Sequence, residues 1–381
     1  MKIRVCHIIT KLELGGAQKN TLYTVSHLDS SKFETFLISG EEGILDFEAM
    51  EKLGERVIFV REMKRSINPL FDLIALIKLT IVLKKIKPHI IHTHSSKAGI
   101  LGRWAGFFAG VKVRIHTIHG FGFSPFHSLP IRWLFIFLER ITSLVTTYFI
   151  CVSENNLKEG IRWGIIKEGK AEIIRSGVEI EKFMNANVEV EKKKRELGIP
   201  LDKKIIGMVA CFKPQKAPLD FVRIARILKD KRDDLHFVMI GDGELRERIE
   251  EEILRLGLKD NFSILGWRKD VEEIFKIVDL FVLTSLWEGL PQVIPQAYAS
   301  GVPMVVTDVD GNREFVEDGV NGFTFKPHDL QRAVEGIEKL LDNYELRIRF
   351  VMGGRVKLDE FKIEKMVTSQ ENLYLRLLKG V

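Results

Sequence analysis

The chain has little with which to staple or anchor itself. It holds three cysteines in 381 residues, Cys6, Cys151 and Cys211. They lie far apart, without metal-ligand spacing, and their odd number excludes a complete disulfide framework. Each sits in an apolar, strand-like stretch, so buried free thiols in a reducing cytoplasm are the expectation. Long uninterrupted hydrophobic runs are missing too. The most apolar segment, 131–149 (IRWLFIFLERITSLVTTYF), is broken by Arg132, Glu139 and Arg140, which argues against a transmembrane helix. The first ten residues, MKIRVCHIIT, are too short and too interrupted for a signal peptide and read as a β-strand. No short-period repeat is visible. The last absence is of negative charge: the 66 residues between Asp72 and Glu139 hold no acidic side chain, nine Lys or Arg and six of the ten histidines.

That gap makes the charge lopsided. Residues 1–180 hold 25 Lys and Arg against 17 Asp and Glu, while the remainder holds 33 against 35. A solvated basic face is the ordinary meaning of such a bias. A gap this long points to a surface facing polyanions, diphosphates or anionic lipid headgroups. Trp133, Phe135 and Phe137, with arginines beside them, suit a helix lying on a membrane surface; a buried helix of the first domain is the competing reading. The stretch 70–86 is similar, with Lys78, Lys84, Lys85 and Lys87 beside an apolar face.

Apolar residues make up 45% and charged residues 29%, ordinary for a soluble globular enzyme, and the length suits two domains. Strand candidates fall at 3–9, 34–38, 57–60, 90–94, 114–118, 148–152 and 172–174, with amphipathic helices such as 18–28, 70–86 and 129–142 among them. After a polar stretch at 185–196 the alternation restarts, with strands at 204–209, 236–240, 262–265, 280–283, 303–307 and 322–325. Buried strands separated by helices imply parallel sheets covered on both faces. The expected architecture is therefore α/β, two doubly wound Rossmann-like domains over 1–185 and 186–360. A C-terminal helix over 361–381 has the first domain as its candidate packing partner. Ligands of such sheets bind beyond the carboxyl ends of the strands, and the cleft between two such domains is the favoured site.

The most informative stretch is 284–301, TSLWEGLPQVIPQAYASG. A buried strand leads to a loop carrying Glu288 and Gly289. Pro291 stands where a helix would begin, and Gly301 with Pro303 beyond it would end that helix. A carboxylate thus sits above a strand end, at the mouth of a helix whose free N–H groups suit anionic or hydroxyl-rich ligands. Eight positions on, Gln296 offers a neutral amide. A plain helix start with Glu in its first turn is the bland alternative.

Other stretches have the same strand-loop-helix setting. Gly15 and Gly16, in KLELGGAQKN, let backbone N–H groups approach a phosphate or sugar, although such pairs also serve turn geometry alone. IHTHSSKAGILG carries His92 and His94, which without a nearby carboxylate or cysteine suit packing better than a metal. In HTIHGFGF, His119 ends a strand before a glycine loop, while His116 points to the other face. In MVACFKPQKAP, Lys213 and Lys216 bring fixed cations to a strand end, as a leaving diphosphate requires. The turn Gly241-Asp242-Gly243 reads as structural, and Trp267 with Arg268 follows the next strand. Asp308 and Asp310 have the spacing of a metal-binding Asp-x-Asp but lead into Gly311-Asn312-Arg313-Glu314.

In order and spacing these motifs resemble those of retaining glycosyltransferases of family 4, which have the two-domain GT-B fold, from Gly15-Gly16 to Asn321-Gly322. The 284–301 stretch is similar to that family's Glu-x7-Glu signature, with Gln296 in place of the second Glu. Cys211 stands where the family usually has an Arg. The HTHSSKAGILGR and HGFGF stretches resemble members that build capsule, O-antigen or exopolysaccharide units. The resemblance implies transfer of a sugar from a nucleotide-sugar, UDP-linked rather than GDP-linked, to a hydroxyl of a polyprenyl-diphosphate-linked or other saccharide. Retention at the anomeric carbon, no metal or other cofactor, and no nucleic-acid partner come with it. Glu288 and His119 would act on the sugar, His119 as a hydrogen-bond donor. Gly15, Gly16, Lys213, Lys216, Gly289, Leu290 and Gln296 would bind the donor, Gln296 at its ribose. The Asp308 loop would border the donor without a metal. The protein would be cytoplasmic, peripheral on the inner face of the cell membrane. A non-catalytic sugar-nucleotide-binding scaffold, or a GT-B epimerase or phosphorylase, are the alternatives.

Overall fold

The computed structural model describes residues 2–123 and 128–380. The chain forms two compact units, Met1–Gly177 with Ile363–Val381, and Val178–Lys362. The second is closed at its base where Val178 bridges to Lys362 and the Val178 N–H donates to the Phe361 carbonyl at 2.7 Å.

The first unit is built on a seven-stranded, all-parallel sheet. Its strands are β1 (Ile3–Ile8), β2 (Phe33–Ser39), β3 (Val57–Phe59), β4 (Ile90–His94), β5 (Val113–Ile118), β6 (Tyr148–Cys151) and β7 (Ala171–Ile173). They lie in the order β3-β2-β1-β4-β5-β6-β7. A helix joins each strand to the next from β1 to β7, so both faces are covered and the strand sequences run apolar rather than alternating. One face packs Val5, Ile90, Val113 and Ile115 under the helix Ile363–Lys379, through Met366, Leu373 and Tyr374. The other packs Cys6, Ile8 and Ile91 under the helices Pro69–Ile86 and Ser96–Phe108.

Register decides what stands side by side. His7 pairs with His92, Thr93 with His116, and His94 with Thr117. Because strand side chains alternate, His7, His92, His94 and Thr117 share the face beneath the C-terminal helix, while Thr93 and His116 share the opposite one.

The second unit has a six-stranded parallel sheet: β8 (Lys204–Val209), β9 (Leu235–Ile240), β10 (Phe262–Ile264), β11 (Leu280–Leu283), β12 (Met304–Thr307) and β13 (Phe323–Phe325), in the order β10-β9-β8-β11-β12-β13. Its core gathers Phe221, Phe237, Val282, Val305, Ile337 and Phe350. In each sheet the crossovers reverse direction once, between β1 and β4 and between β8 and β11. Those reversals open crevices at the carboxyl ends of the central strands.

The helix Leu129–Ser143 buries only one stripe, Ile136, Glu139 and Thr142. Glu139 reaches inward to the fully buried Arg103, Nη2 to Oε2 at 2.8 Å. Its outer side leaves Trp133 56% and Phe137 57% exposed, beside exposed Leu134 and Ile141. On the same side of the unit, the helix Pro69–Ile86 exposes Leu70, Leu73, Ile77 and Ile81, and Phe107 and Phe108 are exposed at the end of the helix that packs between them. The acidic residues near this surface are engaged: Asp72 with Lys97 and Glu62 with Lys78, both at 2.6 Å. Among the described residues, no helix is long and apolar enough to cross a membrane.

Cysteine placement differs from expectation at one position. Cys6 and Cys151 are buried free thiols, but Cys211 is only half-buried, because β8 ends at Val209 and Cys211 already lies in the loop beyond it.

Candidate active site

The second unit assembles a compact group of side chains at its crevice. Beyond β8 the chain turns through Pro214–Lys216; beyond β11 it runs through Thr284 to Gly289. These loops are bound to each other. The Thr284 hydroxyl donates to the Lys216 and Ala217 carbonyls at 2.8 and 3.0 Å. The Leu286 N–H donates to the Gln215 carbonyl at 2.7 Å, and the Gln215 amide donates to the Trp287 carbonyl at 2.9 Å. So fixed, Lys216 Nζ contacts Glu288 Oε1, which also accepts from the Ser285 hydroxyl at 2.6 Å. Glu288 is buried, and the lysine and the serine hydroxyl supply the polar partners that a buried carboxyl group needs.

The loop beyond β12 closes the group. Thr307 Oγ1 donates to the Ser285 carbonyl at 2.6 Å, and Asn312 Nδ2 donates to the Thr307 carbonyl at 2.8 Å. At Gly311 a Cβ would stand 2.7 Å from the Gly289 carbonyl oxygen, so only glycine allows this approach. The helix Val293–Ser300 begins two residues after Pro291, later than the sequence suggests, and ends at Gly301 with φ +84. Gln296 is half-buried on that helix; Gly289 is half-buried and Leu290 buried in the loop before it. Lys213 heads the Pro214–Lys216 turn, partly exposed, and forms no ion pair among the described residues. The structure therefore brings together Lys216, Glu288, Gly289 and Leu290, with Lys213 and Gln296 on the flanking turn and helix.

In the first unit, Gly15 caps the helix Gly16–His27 in extended conformation, with no acidic residue in the first turn. Beyond β1, Thr10 Oγ1 lies 2.7 Å from Ser95 Oγ, and Ser95 holds a left-handed φ of +63 at the head of the helix Ser96–Phe108. Such strain in a residue other than glycine is uncommon and concentrates at functional sites.

His119 follows β5 and keeps partial exposure. Its Nε2 lies 3.1 Å from His94 Nδ1, and His94 Nε2 lies 3.0 Å from His7 Nδ1. His7 Nε2 is 3.3 Å from Tyr374 Oη, which is 2.5 Å from His92 Nδ1 and 3.1 Å from Gln370 Oε1. His92 Nε2 completes its bonding at Thr117 Oγ1, 2.6 Å away. Burial lowers the pKa of each ring, His7 to about 3 and His119 to about 4, with His92 and His94 well below their ordinary value. All four are neutral at pH 7. His116 lies on the opposite face, 2.9 Å from Thr93 Oγ1.

Two groups have metal-like composition. The ring nitrogens of His7, His92 and His94 come within 4.8 Å of one another. Each ring is already hydrogen-bonded to its neighbours, Tyr374 or Thr117, so a cation would have to break those bonds. Asp308 and Asp310 both face Arg313, at 2.6 and 3.6 Å. Arg268, after β10, is held by Asp270 at 2.6 Å, while Trp267 beside it is exposed.

Sequence reasoning missed Ser285, Thr307, His7, Gln370 and Tyr374 as parts of these groups. Thr307, His7 and Tyr374 have partners on other elements remote in the chain, whereas Ser285, three residues before Glu288, and Gln370, one helical turn before Tyr374, had a local spacing that could have found them.

Comparison with known proteins agrees with this architecture. The family described as Glycosyltransferase Family 4 matches residues 14–182, and the one described as Glycosyl transferases group 1 matches 189–357. The chain is 32% identical over 380 residues to the UDP-Gal:alpha-D-GlcNAc-diphosphoundecaprenol alpha-1,3-galactosyltransferase of Escherichia coli, covering 99% of this chain and 98% of that one. It is 28% identical to the N,N'-diacetylbacillosaminyl-diphospho-undecaprenol alpha-1,3-N-acetylgalactosaminyltransferase of Campylobacter jejuni, covering 94% and 95%. Among solved structures, Anabaena HepE in complex with UDP-glucose superposes with a TM-score of 0.83 at 19% identity, covering 98% and 99%. The two parallel-sheet units are the GT-B fold, and the chain belongs to the glycosyltransferases of family 4.

Proposed function

We propose that this glycosyltransferase moves a hexosyl unit from a UDP-sugar to a hydroxyl of a polyprenyl-diphosphate-linked saccharide, with retention, during assembly of a cell-surface polysaccharide. The observation that carries this is the Lys216–Glu288 pair at the reversal between β8 and β11. It sets a cation for a departing diphosphate next to a carboxylate able to orient sugar hydroxyls. The acceptor class follows the names of the Escherichia coli and Campylobacter jejuni relatives, which both give a diphospho-undecaprenol saccharide and an α-linkage. An α-linked product from an α-configured sugar nucleotide is retention.

In the step itself, the bond between the anomeric carbon and the diphosphate oxygen breaks. The acceptor oxygen bonds to that carbon on the same face, and its proton passes to the departing diphosphate. Lys216, with Lys213, stabilises the charge that accumulates on the diphosphate, in place of a resident divalent cation. The N–H groups at Gly15 and Gly16 add the positive end of a helix. Glu288, held by Ser285, fixes the sugar, as do Gly289 and Leu290 through their backbone; Gln296 bonds a ribose hydroxyl. His119 bonds a hydroxyl of the transferred sugar.

The acceptor's lipid defines where the protein works. Exposed Trp133, Phe137, Leu73 and Ile77 stand beside Lys78, Lys84 and Arg132, the composition of a surface that seats on anionic lipid at the inner membrane face. The deciding experiment incubates purified protein with UDP-galactose, UDP-N-acetylgalactosamine or GDP-mannose, plus an undecaprenyl-diphosphate-linked N-acetylhexosamine. Transfer from a UDP-sugar alone, to an α-linked product, in the presence of chelator, is expected. Turnover only with GDP-mannose, only with added metal, or to a β-linked product would overturn the corresponding part of the reading.

A further inference from the structure

The histidine row under the C-terminal helix has one hydrogen-bonding solution that its geometry favours. Tyr374 Oη carries a single proton and meets three partners: Gln370 Oε1 at 3.1 Å, His92 Nδ1 at 2.5 Å and His7 Nε2 at 3.3 Å. An amide oxygen cannot donate, so the phenol proton goes to Gln370 and both histidines donate to the phenol oxygen. His92 is then protonated on Nδ1, and its Nε2 accepts from the Thr117 hydroxyl.

His7 is protonated on Nε2. Being neutral, it has a lone pair on Nδ1, which accepts from His94 Nε2–H across 3.0 Å. His94 Nδ1 in turn accepts from His119 Nε2–H across 3.1 Å. Each tautomer dictates the next, and every donor in the row finds an acceptor. The opposite polarity would need the phenol proton on its longest contact, to His7, and would leave the Gln370 oxygen without a donor. The row ends at His119 with Nδ1 as the ring nitrogen outside the chain. His94, Thr117, His119, Gln370 and Asn20 line a small shared pocket at that end.

We propose that Tyr374 is a positioning residue: through His7 and His94 it fixes His119 as the Nε2–H tautomer, so that His119 Nδ1 accepts a hydrogen bond from a hydroxyl of the bound saccharide. The saccharide contact rests on the reading of His119 given above; the tautomer chain does not. A donating His119, as the sequence suggests, would need its ring proton on Nδ1 and the whole row reversed. Tyr374 lies 367 residues from His7 in the chain, so the C-terminal helix supplies the group that sets the polarity.

The test is a long-range proton–nitrogen spectrum of full-length, 15N-histidine-labelled protein at pH 7.5, with His119 assigned from the spectrum of His119→Asn. In the wild-type protein, His7, His94 and His119 should all show protonated Nε2 and bare Nδ1. Tyr374→Phe removes the acceptor at His7 Nε2, so the proton should move to Nδ1 at all three rings, and turnover should fall about tenfold, the loss of roughly one hydrogen bond. A wild-type His119 protonated on Nδ1 overturns the proposal without any variant. So does a folded Tyr374→Phe protein whose His119 tautomer is unchanged. Adding UDP-sugar separates the two readings: a correct tautomer chain with no change at His119 on saturation would remove His119 from the sugar site and leave the chain standing.

Discussion

Lys216 and Glu288, 72 residues apart in the chain, form an ion pair where the sheet of the second unit reverses its winding. Each holds the other's charge in place before a donor arrives. Under the proposed function an incoming diphosphate would compete for the lysine, and the carboxylate would then turn to sugar hydroxyls. Removing either partner should therefore give a different kinetic signature. Glu288→Gln keeps the Ser285 contact but loses the charge, so turnover should fall about 100-fold with little change in donor Michaelis constant. Lys216→Ala should raise the donor Michaelis constant about 10- to 100-fold, the loss of one charged hydrogen bond. Steady-state kinetics with donor varied would show it; identical effects from both changes would contradict the separate roles.

Gln296 stands on the helix that follows Glu288 and offers an amide where charge assistance would strengthen a ribose contact. Gln296→Ala should raise the donor Michaelis constant, and Gln296→Glu should tighten UDP binding about fivefold. Titration calorimetry with UDP reads both. Unchanged affinity in the alanine variant would remove Gln296 from the site.

The buried histidines make stability fall as pH drops. The His7 pKa is lowered from 6.5 to about 3 by burial, so the folded protein keeps the ring neutral. The unfolded chain binds that proton below its ordinary pKa. The stabilisation is thus complete above about pH 6.5 and is lost on acidification toward about 3, at roughly 1.4 kcal/mol per pH unit. His92, His94 and His116 shift in the same direction for the same reason. Carboxylates lowered by ion pairing, such as Asp234 and Asp270, lose their contribution only in more acidic solution. The urea midpoint should fall between pH 7.5 and 5.5; an equal midpoint at both values would mean that the row is not neutral and buried.

Arg103 is fully buried and its guanidinium reaches Glu139 at 2.8 Å, Gly99 O at 2.7 Å and Thr146 Oγ1 at 3.1 Å. Glu139→Ala would leave a buried cation without its counter-charge, at a cost of about 3 kcal/mol. Thermal unfolding should show a lowered midpoint. A smaller loss is expected in Glu139→Gln, which still accepts one bond.

The exposed face of Leu129–Ser143 should bind anionic vesicles. Trp133→Ser with Phe137→Ser should reduce flotation with phosphatidylglycerol vesicles at least about tenfold, from apolar area alone. Flotation that is equal on neutral and anionic vesicles would argue against the basic component of that surface.

Local patterns made the strands legible. A parallel strand buried on both faces must be apolar, so runs such as LFVL and MVVT announce β11 and β12, and Gly301 announces the end of its helix by its positive φ. The charge gap between Asp72 and Glu139 is read directly from the sequence, and Glu288, Lys216 and His119 drew notice through their strand-loop-helix setting, His119 immediately after β5 and the other two in the loops beyond β11 and β8. Cys211 was misjudged because a one- or two-residue error in a strand end separates buried sheet from half-exposed loop.

Partnership was decided only by the tertiary structure. Nothing around Glu288 in the sequence names Lys216 as its partner, and nothing around His7 names Tyr374, because parallel pairing and crossover helices join residues remote along the chain. The amino-acid sequence determined which elements form and which side chains stand at their ends. Sheet order and register determined which of those ends meet, since a parallel sheet brings strand termini together at its winding reversal regardless of their separation in the chain.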